Sequence, residues 1–69
     1  MAMQYAYIYA QINPNTNMCI GVHSMTYEIT DENWIEIPVN DPEYCFKYYI
    51  NGAWYVDAAG TIPWESSLL

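Results

Sequence analysis

Positive charge is almost missing from this chain. Lys47 is the only lysine or arginine, set against eight acids for a formal net charge of −7. Phosphate backbones are held by rows of lysine and arginine, so direct nucleic-acid binding is excluded as a function. Anionic membrane surfaces are disfavoured for the same reason. Charge of either sign is thin, at 13 % of residues, against about 25 % in ordinary soluble domains. No apolar run approaches the roughly 18 residues of a membrane helix, which predicts no membrane insertion. Two cysteines, Cys19 and Cys45, allow one bridge at most. They form neither a C-x-x-C nor a Cys/His pattern, which argues against a structural zinc site within one chain. Met1-Ala2-Met3-Gln4 has no basic n-region and no long apolar core follows it. The expectation is synthesis in a cytoplasm, with both thiols reduced.

Aromatic surface is present in excess. Hydrophobic residues make up 54 % of the chain, and eight tyrosines and three tryptophans fall within 69 residues. A domain this small buries only about 60 % of the surface it exposes unfolded. Small scaffolds are usually supported by disulfides, a metal or oligomerisation. With at most one bridge available, homo-oligomerisation is the expected support. Tyrosine suits such an interface because its ring is apolar and its hydroxyl tolerates a wet rim. It is also simply a good strand residue.

Period-2 patterning makes the fold all-β. Lys47 to Ile50 and Ala53 to Asp57 are aromatic and β-branched runs flanking Asn51-Gly52. That dipeptide accepts the two positive φ angles of a type I′ turn, so a hairpin is predicted there. In Gln4–Ile12, Tyr5, Tyr7 and Tyr9 alternate with Ala6, Ile8, Ala10 and Ile12, which predicts a strand covered on both faces. Asn13 to Asn17 reads as a loop. Met18–Met25 returns as the partner strand, with Gly21 leaving room for a bulge or a facing ring. Tyr27 to Thr30 could extend a strand, and Asp31-Glu32-Asn33 reads as a turn. Trp34 to Val39 is a third strand, which Pro38 confines to an edge or ends early. Asp41-Pro42-Glu43-Tyr44 predicts one helical turn, capped by Asp41 with Pro42 in the first position. The expected architecture is a small antiparallel sheet of two β-hairpins plus an edge strand and one short helical turn. Residues 1–57 form the domain. Residues 58–69 have no period and read as an extended or partly disordered tail with Trp64 as its anchor.

Little here has the pattern of catalytic chemistry. His23 is the only histidine and has no nucleophile at a useful spacing, so it reads as structural, or at most as a metal ligand shared across a symmetry axis. Asp31, Glu32, Glu36, Asp41 and Glu43 cluster, but on a turn and an edge strand they read as solvated charges that discourage foreign strand pairing. The Asn13 to Asn17 loop supplies only neutral oxygens to calcium. Tyr48, Tyr49, Trp54, Tyr55 and Trp64 could stack on a sugar, although cross-strand aromatic pairing is the simpler account. No nucleophile, base and oxyanion donor converge, so neither an enzyme nor a cofactor is expected.

Gln4-Tyr5-Ala6-Tyr7-Ile8, Cys19-Ile20-Gly21-Val22, the Asp41-Pro42-x-Tyr44 turn and the closing run from Lys47 to Tyr55 together resemble short proteins of tailed bacteriophages. The resemblance spans about Gln4 to Asp57. It implies an accessory virion component of tails, fibres or heads, made in the bacterial host cytoplasm, often trimeric and in contact with other virion proteins. It brings no catalytic residues. Tyr5, Tyr7, Tyr9, Trp54 and Tyr55 are the expected protein-contact surface, with a homotrimer as the first assembly to test. Two other roles remain open. One is a small acidic inhibitor that blocks a basic, nucleic-acid-binding surface of a host protein. The other is adhesion to a host-surface glycan through Trp54.

Overall fold

The computed structural model describes residues 7–69. Among these described residues the elements are β1 (Tyr7–Ile12), β2 (Cys19–Met25), β3 (Trp34–Glu36), a 3-10 turn (Pro42–Tyr44), β4 (Tyr48–Ile50) and β5 (Ala53–Tyr55). The fold is all-β, as expected. The strands form a three-stranded sheet in the order β2-β1-β3 and a two-stranded sheet, with every pairing antiparallel.

Turn chemistry sets both hairpins. Between β1 and β2, Asn13 N–H donates to the Met18 carbonyl at 2.9 Å, and the Asn13 side chain accepts from Asn15 N–H at 2.9 Å. Asn17 closes the loop at φ 64°, in the left-handed region that asparagine tolerates. Asn51 and Gly52 have φ of 50° and 83°, the pair of positive angles a type I′ turn needs. Within the first hairpin the register shifts between Gln11↔Gly21 and Ile12↔Cys19, so Ile20 is an extra, unpaired residue. Gly21 serves a second purpose. A Cβ there would come within 3.0 Å of His23 Nε2, so only glycine leaves the imidazole undisturbed where it meets Gln11 Oε1 at 3.0 Å.

Because β1 pairs antiparallel with both neighbours, β2 and β3 run parallel to each other. Residues 26–33 must therefore cross over β1. Tyr27 to Thr30 accordingly form no strand: Ile29 N–H is committed to the Tyr9 hydroxyl at 2.9 Å. The Asp31-Glu32-Asn33 turn forms as its composition suggests, with Asn33 N–H on Asp31 Oδ1 at 2.8 Å. β3 is an edge strand and stops at Glu36, short of the expected Val39. Ile37 still donates to the Ile8 carbonyl at 2.8 Å, and Pro38, with no N–H, follows it.

The core lies between the two sheets. Ala10, Ile12, Cys19, Ile37 and Tyr44 are buried together, and Ile8, Val22, Ile35, Val39, Tyr49, Trp54 and Trp64 pack around them. The even-numbered face of β1 supplies three of these residues, as its alternation predicts. Two bonds join the second hairpin to the start of β2: Cys19 N–H to the Lys47 carbonyl at 2.8 Å and Tyr49 N–H to the Asn17 carbonyl at 2.9 Å.

The boundary expected at Asp57 is crossed by the packing. Asp57 Oδ1 accepts Ile62 N–H at 2.9 Å, Val56 N–H donates to the Ile62 carbonyl at 2.8 Å, and Trp64 N–H donates to the Trp54 carbonyl at 3.0 Å. These bonds lay residues 62–64 alongside β5, where Tyr55 and Pro63 form an isolated bridge. Ser66 is 4 % exposed and donates its hydroxyl to Asp41, which is 3 % exposed. Residues through Ser66 thus belong to the same domain. The cause is backbone pairing and one buried acid, neither of which leaves a hydrophobic period to read.

Candidate protein-contact surface

Of the five aromatic residues expected to form one contact surface, the four described ones differ in burial and in what they pack against. Tyr5 lies outside the described residues. Tyr7 is half-buried and stacks on Tyr9, with ring centroids 6.3 Å apart at 11°. Tyr9 is only 3 % exposed, covered by the crossing loop and by the edge of Trp34 at 6.1 Å. It offers a partner no ring. Trp54 meets Tyr44 edge-on at 4.9 Å and Tyr49 at 5.1 Å, which directs it into the core. Tyr55 is half-buried opposite Tyr48 and bridges to Pro63. Of the other rings that could stack on a sugar, Trp64 packs edge-on against Tyr44 at 4.8 Å with Lys47 Nζ 4.9 Å from its centroid. Tyr49, Trp54 and Trp64 are thus engaged in aromatic pairs within the molecule.

Other apolar side chains remain outside. Among the described residues Ile20, Tyr27, Phe46, Val56, Ile62, Leu68 and Leu69 are the large hydrophobic side chains left exposed, Phe46 the most at 72 %. Ile20 and Phe46 are neighbours, because Phe46 N–H donates to the carbonyl of Cys19 at 2.9 Å. Val56 and Ile62 are likewise joined by a backbone bond. Phe46 also has φ 72°. A left-handed conformation costs a side-chain-bearing residue about 1–2 kcal/mol, and a bulky one is rarely found there. The fold forces it: Lys47 N–H reaches back to the Tyr44 carbonyl at 3.0 Å to end the 3-10 turn, and the αL residue at such an end is usually glycine. Phenylalanine in that position is the most exposed of the described large hydrophobic side chains. Sequence reasoning missed Phe46 because nothing in the chain marks its φ.

Charge is distributed unevenly. Glu28, Asp31, Glu32 and Glu36 are all exposed, on the crossing loop and on β3. Asp41, grouped with them by sequence, is instead a buried cap. Its two oxygens take the Ser66 hydroxyl at 2.5 Å and Glu43 N–H at 2.9 Å. The Ser66 bond first, and then Glu43 N–H, hold its pKa below the usual 3.8. Asp57 is lowered in the same direction, mainly by the Thr61 hydroxyl and then by Ile62 N–H. An unfolded chain takes up these two protons at higher pH than the folded one. The stability the carboxylates contribute is therefore present above about pH 4 and is lost as pH falls below it. Melting temperatures should stay level from neutral pH down to about pH 5 and drop below pH 4. Asp57→Asn should flatten part of that drop; an unchanged acid limb would contradict the assignment. At the other extreme, burial above all pushes the Cys19 thiol from 9.0 up to about 11. Unfolded thiol ionises first, so stability should also decline as pH rises from about 9 towards 11.

His23 lies flat on Trp34, with centroids 4.7 Å apart, and is hydrogen-bonded to Gln11. Among the described residues no three His, Cys, Asp or Glu side chains gather as a metal site. Nor, among the described residues, is any helix long and apolar enough to cross a membrane. Compared with models of protein families, with curated proteins and with solved structures, the chain matches none.

Proposed function

We propose that this chain is a structural or accessory component of a tailed-phage particle that acts through protein contact and self-association. The observation that carries the contact role is Phe46, a largely exposed residue with a left-handed backbone, bonded through its N–H to the carbonyl that precedes exposed Ile20. A low-charge surface with apolar side chains left outside suits burial against another chain. The assignment to a virion rests on the resemblance of the strand and turn motifs. The contact surface moves accordingly, from Tyr9 and Trp54, which the fold consumes, to Ile20 and Phe46. Sedimentation of the whole chain at tens of micromolar should give a mass above that of one chain, with a trimer the first stoichiometry to fit. A monomer throughout would overturn self-association.

A substitution separates strain from contact. Phe46→Gly removes the left-handed penalty at the cost of a looser unfolded chain, so the isolated protein should gain about 0.5–1 kcal/mol. The same change should weaken association. A variant that loses stability in a urea titration would show that the ring supports the monomer instead.

The exposed acids favour a second reading, an inhibitor that presents Glu28, Asp31, Glu32 and Glu36 to a basic host surface. Under it, the chain should bind an arginine-rich peptide at physiological ionic strength, and reversing Asp31, Glu32 and Glu36 to lysine should abolish binding while the fold persists.

A further inference from the structure

Cys19 is fully buried at the start of β2, and Cys45, which follows the 3-10 turn, is half-buried; both are reduced. The backbone holds their two segments side by side. Phe46 N–H donates to the Cys19 carbonyl at 2.9 Å, and Cys19 N–H donates to the Lys47 carbonyl at 2.8 Å. The Cys19 Sγ donates to the Gly21 carbonyl at 3.3 Å, and among the described residues the one titratable side chain acting on that thiol by charge is that of Cys45. The paired backbone segments bring the two cysteines to one junction, and an unstrained disulfide between them needs Cα atoms about 4.4–6.8 Å apart. A metal is a poorer occupant, since no third ligand joins them.

We infer that Cys19 and Cys45 are a redox-active pair that closes into an intramolecular disulfide when the chain meets a small-molecule disulfide such as oxidised glutathione. The more exposed partner reacts first. The Cys45 thiolate attacks one sulfur of the reagent, RS–SR, forming a Cys45–S–S–R bond and expelling RS−. The Cys19 thiolate then attacks the Cys45 sulfur, forming the protein bridge and expelling the second RS−. The chain gives up two electrons to the reagent, and its two thiol protons end on two molecules of RSH. Cys19 never needs to meet the reagent, which suits its burial. Because that thiol is held protonated, ring closure is slow at neutral pH and should quicken about tenfold per pH unit up to its pKa. The bridge encloses β2, the crossing loop, β3 and the 3-10 turn in one covalent loop, at the junction where the second hairpin is bonded to the first. Cross-linking a loop of that length should raise the melting temperature by roughly 10 °C.

The experiment incubates the whole chain in a mixture of oxidised and reduced glutathione at pH 8. The product is followed by intact mass, by peptide mapping without reduction and by thermal melting. The expected result is loss of two hydrogens, a peptide joining Cys19 to Cys45, and a higher melting temperature that reverts on reduction. Cys45→Ser, chosen because Cys45 is outside the buried core, should fold, form no internal bridge and show no shift. Oxidation that halts at a glutathione adduct on Cys45 would overturn the inference. So would a bridge only between chains, an unchanged melting temperature, or a shift that persists in Cys45→Ser.

Discussion

A chain cut after Asp57 is expected to lose cooperative folding. The cut removes Trp64, whose ring packs on Tyr44, and Ser66, whose hydroxyl satisfies the buried Asp41 carboxylate. It also frees the outer edge of β5, which residues 62–64 cover through the Val56 and Trp64 backbone bonds. Truncating a fully buried tryptophan costs about 3–5 kcal/mol, an upper bound for the half-buried Trp64. A domain of this size has only about 3–10 kcal/mol in total. Near-ultraviolet circular dichroism reads the outcome, since the aromatic signal needs fixed rings. A truncated chain that melts like the full one would show that residues 58–69 are the loose tail their composition suggests. Trp64→Ala in the full chain is the milder companion, because it spares the Asp41–Ser66 bond and should therefore be less damaging than the cut.

Tyr44→Ala should be of similar severity, about 3–5 kcal/mol. Tyr44 is 2 % exposed and stands between Trp54 at 4.9 Å and Trp64 at 4.8 Å, both meeting it edge-on. Edge-to-face pairs add about 0.5–1.5 kcal/mol each beyond the area they bury. This ring is the point at which the second hairpin, the 3-10 turn and the C-terminal segment meet. Its loss leaves a cavity that three elements would have to close together. Tyr44→Phe is the control: it keeps the ring and removes only the hydroxyl, so its midpoint in urea should fall far less. Equal losses in the two variants would place the effect in the hydroxyl and not in the ring stack.

What could be read in advance is local. Asn51-Gly52, Asp41-Pro42 and the alternation of β1 specify backbone angles within a few residues of themselves, and the structure has each where the chain implies it. Long-range geometry decided the rest. Tyr7 and Tyr9 have the same spacing and the same face, yet only Tyr9 is buried, because the crossing loop happens to pass over it. Trp54 looks like a surface aromatic until Tyr44 and Trp64 arrive from segments ten or more residues away in the chain. Residues 58–69 carry no period because their order comes from backbone bonds to β5 and from one serine. Phe46 is the clearest case: its angle is set by the end of the 3-10 turn, and its identity opposes that angle.

The crossing of residues 26–33 over β1 also bears on how quickly the molecule assembles. Each hairpin closes through a short local turn, an event of about 1–10 μs. β3 must instead find Tyr9, Ala10 and Gln11 across some two dozen intervening residues, after that strand has already been claimed on its other side. Docking of Trp34–Glu36 is therefore the step that limits the rate. Kinetic traces should show it: destabilising Ile35 ought to slow refolding, and a change confined to faster unfolding would place β3 docking after the rate-limiting step.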